Sequence, residues 1–182
     1  MAETSASVSS SVRLAQIASL LWLGGLFVVF VAHAEGEILS LVWLSEPQVE
    51  FRFHLDAFRQ VFTGLITAIG VCVFVFACRY LNGHPHFWRF FIILHLFTAA
   101  MLGVVLADDI ITLFIAWELT SLTSYFLIGF KHEDAKSRRA ALQGLLVTAS
   151  GGLCLLAGLI VLGVEANTFR LSELVRADLT SM

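Results

Sequence analysis

Charge is scarce in this sequence. Lys, Arg, Asp and Glu make up 14% of the 182 residues, the formal net charge is -3, and basic residues nowhere gather into a tract. A nucleic-acid surface needs a basic patch to neutralise phosphates, so that class is excluded. Cysteine is equally sparse. Cys72, Cys78 and Cys154 stand in or beside apolar segments, with no C-x-x-C and no Cys/His cluster at zinc spacing, and read as small buried hydrophobes. His33, His54, His84, His86 and His132 fall at segment edges or in loops and form no metal spacing. No nucleophile–base constellation, phosphate-binding glycine loop or dinucleotide fingerprint is present, which leaves an enzyme, a cofactor site and a metal site without support. There is no internal repeat.

What the sequence has is apolar length. Hydrophobic residues are 58% of the total and the mean hydropathy is +0.87, far from the usual soluble balance. Crossing about 30 Å of hydrocarbon takes about 20 helical residues. Stretches near that size lie at 14–33, 59–80, 87–107, 110–129 and 140–163. The expected fold is all-α, an integral membrane bundle of about five transmembrane helices, with a polar lead over 1–13 and a polar tail over 164–182. Small residues at helical spacing let backbones approach closely in lipid. Gly144, Thr148, Gly151 and Gly152 supply such a stripe in the last span, and Gly64, Thr67, Ala68 and Val71 in the second.

The connections carry their own signals. The only long one, 34–58, holds Glu35, Glu37, Glu46, Pro47 and Glu50 beside Val42-Trp43-Leu44 and reads as a loop with an interfacial aromatic patch. The shortest is Asp108-Asp109, a tight helical hairpin in which Asp109 caps the following helix; Asp56 has the same place before the second span. Basic residues set the orientation. The loop from Lys131 to Arg139, the Arg79/Arg89 connection and Arg13 are expected on the cytoplasmic side, which puts 34–58, Asp108-Asp109 and the C-terminal tail outside. Ala32-His33-Ala34 has the form of a signal-peptidase site. The preceding apolar run is long for a signal sequence and the lead carries a single Arg, so a retained span is the better reading.

One carboxylate lies near the middle of a span. Glu118 sits within 110–129, where an ionisable group costs about 3 kcal/mol to bury and usually faces a bundle interior or a water-filled path. A carboxyl at that depth is placed to load and release protons; the plainer role is a Glu joining two helices. Ser121 and Tyr125 follow at i+3 and i+7, on the same helical face, where hydroxyls can hydrogen-bond the acid or position water. His95 is the other ionisable group within a span. A tight hairpin at Asp108-Asp109 puts it opposite Leu122, about one turn from Glu118, as a relay or as a packing residue.

The stretch Ala100 to Asp109 followed by Leu113 to Phe130, with Trp117-Glu118-Leu119-Thr120-Ser121 at its centre, closely resembles the proton-conducting transporter family. That family includes antiporter-like subunits of respiratory complex I, membrane-bound hydrogenases and the large A subunit of Mrp-type cation/proton antiporters, and the version here is most similar to the last. Leu55-Asp56, Ile66 to Gly70, Lys131 to Leu142, Leu146 to Thr148 and Thr168 to Leu174 extend the likeness over about 50–175. The resemblance implies that Glu118 occupies the place of the family's intramembrane glutamate. It also implies a larger fold, with discontinuous helices and a central lysine on the helix following the last one here. No Lys occurs in any of the five spans, so a Glu–Lys pair needs another chain or a longer one. The function implied is that of a secondary transporter subunit coupling protons to Na⁺ or another monovalent cation in a bacterial plasma membrane. Glu118, His95, Ser121 and Tyr125 are its proton-path residues, and other antiporter subunits and a chain supplying the missing helices its partners. The alternatives are a component of a redox-driven pump and a non-transporting assembly subunit.

Overall fold

Where the backbone enters lipid it must satisfy its own hydrogen bonds, and apolar length therefore becomes helix. The computed structural model describes residues 17–19, 21–25, 36–44, 49–82 and 84–176. Four helices carry the apolar stretches: α1 (Ala57–Tyr80), α2 (Phe87–Leu106), α3 (Ile110–Ile128) and α4 (Ala135–Glu165). Each is long and apolar enough to cross a membrane, and the protein is an all-α integral membrane bundle in character. Residues 17–19 and 21–25 are also helical; the rest of the span expected over 14–33, including Ala32-His33-Ala34, lies outside the described residues.

Three helix starts are held by aspartate. Asp56 accepts from Arg59 N at 2.8 Å, Asp134 from Lys136 N at 3.0 Å, and Asp109 from Ile111 N at 2.8 Å and Thr112 N at 3.2 Å. These side chains replace carbonyls that the first helical turn lacks. Inside the helices Thr67, Thr98, Thr123 and Thr148 donate back to the carbonyl four residues earlier, so hydroxyls stay satisfied without leaving the helix.

The helices pack in chain order, α1 on α2, α2 on α3 and α3 on α4. Leu23, Phe74, Ala77, Cys78, Leu81, Phe87, Phe91 and Leu94 form the main core, with Leu23 seated over Gly70 at 3.7 Å from the position a Cβ would take. Leu55, Leu102 and Leu106 form a second cluster at the opposite end of α2.

Among its described residues the segment 34–58 is not a loop. It contains strands β1 (Gly36–Leu44) and β2 (Val49–Leu55), paired antiparallel from Gly36↔Leu55 to Leu44↔Val49 with irregularities at Glu37/Leu39 and Val42/Leu44. Its expected aromatic patch rests on side chains outside those described. Within the polar tail expected over 164–182, the described residues carry the end of α4 at Glu165 and, after a turn, the helix α5 (Leu171–Arg176). Asn167 takes a left-handed φ of 54° in that turn, a conformation Asn tolerates better than most residues.

β2, the α2–α3 turn and the start of α5 meet at one end of the bundle. Asp108 N donates to Arg52 O at 3.0 Å, Ile110 N to Phe169 O at 3.2 Å, and Leu171 N to Asp108 O at 2.9 Å. Asp108, 7% exposed, accepts from Arg59 Nη2 at 3.2 Å, Ser172 N at 3.1 Å and Ser172 Oγ at 2.9 Å. A buried carboxylate is tolerated because a cation and two donors surround it.

The expectation for the cysteines needs correction. Cys78 is buried, but Cys72 and Cys154 are exposed, on helix faces that no described element covers. Apolar character in a membrane protein does not require an interior position, since lipid is as apolar as the core.

Candidate functional site

Glu118 stands halfway along α3 and is directed at α4. The register of that helix pair starts at the connecting loop, where Gly129 meets Ala141 and Ile128 meets Gly144. Followed along the pair, it brings Glu118 and Trp117 to Gly152. The Glu118 Oε1 atom is buried and has no hydrogen-bond partner among the described residues; the same is true of Trp117 Nε1. Both converge on Gly152: a Cβ built there would overlap Glu118 Oε1 and stand 3.0 Å from Trp117 Cδ1 and 3.1 Å from Nε1.

Ser121 shares the helix and is buried, yet its hydroxyl donates to Trp117 O at 3.2 Å and not to the carboxyl. Thr120 donates to the same carbonyl at 2.6 Å. Tyr125, half-buried, packs its ring edge on Phe126 with centroids 5.3 Å apart.

His95 does not join this group. The α2–α3 register is close to the expected one, with Gly103 over Ala116 at 3.1 Å, but the imidazole turns toward α1. It lies between the rings of Phe74 and Phe91, at centroid distances of 4.2 and 4.5 Å. Nδ1 bonds Phe91 O at 2.9 Å, and Nε2 is 3.4 Å from Ser19 Oγ. Only one ring nitrogen of a neutral imidazole donates; Nδ1, facing a carbonyl, must be that one. His84, His86 and His132 meet instead at the loop end, lining one recess with Phe130, Lys131 and Glu133.

Sequence reasoning missed two members of the site. Trp117 served only as part of a motif, and Gly152 only as a packing residue. Counting the antiparallel register outward from the loop between α3 and α4 would have found Gly152. Nothing in the sequence marks the Trp117 indole as unpartnered.

A bundle of membrane-length helices with an unpartnered carboxyl atom between two of them belongs to the class of integral membrane proteins with an intramembrane acidic site. Residues 43–91 match the family described as NADH-ubiquinone oxidoreductase (complex I), chain 5 N-terminus, and residues 107–182 the family described as NADH:quinone oxidoreductase/Mrp antiporter, transmembrane. These two stretches carry the sequence patterns of those families, and the chain is similar to A subunits of Mrp-type antiporters. A probable K⁺/H⁺ antiporter A/B subunit of Rhizobium meliloti is 38% identical over 144 residues, covering 78% of this chain and 14% of the relative. A Na⁺/H⁺ antiporter A1 subunit of Staphylococcus aureus is 37% identical over 137 residues, covering 75% of this chain and 17% of the relative. The chain thus spans less than a fifth of the length of these curated relatives. Among solved structures, a chain of the Mrp complex from Dietzia sp. DQ12-45-1b superposes with a TM-score of 0.79 at 33% identity, over 96% of this chain and 21% of that one. A chain of an archaeal membrane-bound sulfane sulfur reductase shares the fold, with a TM-score of 0.69 at 16% identity over 90% of this chain and 33% of that one.

Proposed function

We propose that this chain is part of a multisubunit antiporter that exchanges protons for Na⁺ or another monovalent cation, and that Glu118 is its proton-carrying or coupling group. The observation that carries this reading is the buried, unpartnered Oε1 of Glu118 in the middle of a membrane-length helix. A carboxyl held there without a fixed donor is free to exchange a proton with water or with a group supplied by another part of the complex. The names of the relatives support exchange of protons for cations, and their greater length supports a complex in which further helices complete the path. Those helices, and a lysine to oppose Glu118, lie outside the 182 residues of this sequence, in a longer chain or in another one. The expected location is a bacterial plasma membrane.

Ser121 and Tyr125 are secondary members of the path. The Ser121 hydroxyl already donates to Trp117 O, which leaves its oxygen to accept from a water or from the protonated acid. His95 acts at most as an auxiliary relay, reached through water from the α1 side. The test is cation-dependent dissipation of a pH gradient by vesicles containing the whole complex. Glu118→Gln keeps size and most hydrogen bonding while removing titration, so exchange should collapse in an assembled complex. Glu118→Asp should retain a fraction of it with an altered pH profile. Full exchange by assembled Glu118→Gln would leave the carboxyl a helix-joining role and nothing more.

A further inference from the structure

We infer that Gly152 is the positioning residue for Glu118: its missing side chain is the seat in which the carboxyl is held. This rests on the reading of Glu118 as the proton-carrying group and names a second residue on which that group depends. Glycines are common in membrane helices, and most make only generic close contacts. In α4 they are not equivalent. Added Cβ atoms at Gly151 and Gly158 meet nothing within 4 Å, and one at Gly144 only grazes Ile128 Cδ1 at 4.0 Å. Gly163 is crowded as well, but by Phe169 and Thr168 O of the turn that follows α4; Gly152 alone of the five faces a carboxyl, and a methyl there would overlap Oε1.

The carboxyl is the group that must yield, since it is the far end of a flexible side chain. Trp117 flanks the same position at 3.0 and 3.1 Å, and its Nε1 is buried beside the carboxyl oxygen. Relief must therefore come from swinging the Glu118 side chain out of the α3–α4 interface or from parting the helices. Either moves the carboxyl from its place, and a displacement of about 1 Å at a reacting group can cost about a hundredfold in rate.

The experiment compares Gly152→Ala with Gly151→Ala in the intact complex. Two readouts are taken: proton/cation exchange in vesicles, and the infrared carboxyl bands of residue 118, assigned by their loss in Glu118→Gln. Gly152→Ala is expected to move those bands and to lower exchange by about ten- to a hundredfold, while Gly151→Ala leaves the bands in place. Combining Gly152→Ala with Glu118→Asp withdraws the carboxyl by one methylene, so the pair should assemble and exchange better than Gly152→Ala alone. Unmoved bands in assembled Gly152→Ala, or equal shifts from Gly151→Ala, would overturn the assignment. If Gly152→Ala does not assemble, assembly of the pair with Glu118→Asp supports the seat, and its failure refutes it. Full exchange by Glu118→Gln removes the proton-site reading, whereas unmoved bands in Gly152→Ala remove the seat alone.

Discussion

Replacing Asp108 by Ala should destabilise the hairpin end of the bundle by about 3–5 kcal/mol, the range for breaking a buried ion pair by removing one partner. The guanidinium of Arg59 is 13% exposed and stands 3.2 Å from Asp108 Oδ1. Without that carboxylate, Arg59 keeps only the longer contact to Asp56 Oδ2 at 3.6 Å and a bond to His54 O at 3.3 Å. These remaining partners hold the ion-pair loss to the lower part of the range. Ser172 then loses an anionic acceptor for both its N–H and its hydroxyl, where bonds to charged groups contribute about 1.5–3 kcal/mol each. The backbone N–H can turn to water at that edge, so the sum stays well below simple addition. Asp108→Asn keeps one amide oxygen and should cost about 1–2 kcal/mol. The assay is unfolding of the purified protein in mixed micelles, followed by loss of helical circular dichroism as denaturing detergent rises. A double-mutant cycle with Arg59→Ala should give a coupling of about 1 kcal/mol or more. Asp108→Ala within about 0.5 kcal/mol of the parent, or zero coupling to Arg59, would refute the assigned role.

Asp109 offers a pH test: burial pushes its carboxyl above the ordinary range, although the N–H groups of Thr112 and Ile111 pull the other way. Its contribution is fully present below the unfolded pKa and is lost as pH rises through the raised folded value. Asp109→Asn, an equally good cap, should therefore gain stability relative to the parent as pH rises, measured by the same unfolding assay at acid and neutral pH. His95→Phe keeps the ring stack with Phe74 and Phe91 and should preserve assembly better than His95→Ala; a relay role predicts that both slow exchange and leave it measurable. For orientation, a single Cys at Ser137, with Cys72, Cys78 and Cys154 replaced, should be protected from impermeant thiol reagents in intact cells, whereas one at Gln48 should label.

Spans and caps were legible because hydropathy and aspartate placement are local properties. The helices at 59–80, 87–107 and 110–129 differ from α1, α2 and α3 by a residue or two at their ends, and Asp56 and Asp109 cap as their positions imply. The β-hairpin was not read from the sequence, although β2 carries its pattern. Val49, Phe51, Phe53 and Leu55 alternate with Glu50, Arg52 and His54, the period-2 pattern of a strand. Site geometry was only partly readable. The helical repeat puts Ser121 on the side of Glu118, but which neighbour that side meets depends on helix rotation, and rotation is fixed by packing. Phe74 and Phe91 hold His95 toward α1, while Gly152 draws the Glu118 side toward α4. In each case a decisive partner, Phe74 for His95 and Gly152 for Glu118, lies on a neighbouring helix and not within the span that carries the ionisable residue.

The two ends of the bundle are fastened differently. At one, hydrogen bonds from β2, the α2–α3 turn and the start of α5 converge on Asp108. At the other, the loops and the start of α2 touch through rings, His84 on Phe130 at 5.5 Å and Phe90 on Phe130 at 5.0 Å. Polar bonds thus hold the start of α3, and apolar packing holds its far end. α3 is about 28 Å long at 1.5 Å per residue, so a tilt of about 5° about the Asp108 end carries its far tip roughly 2.5 Å and Glu118 roughly half as far. A tilt of that size would already carry the carboxyl away from Gly152, so the bonds at Asp108 help to fix where Glu118 stands.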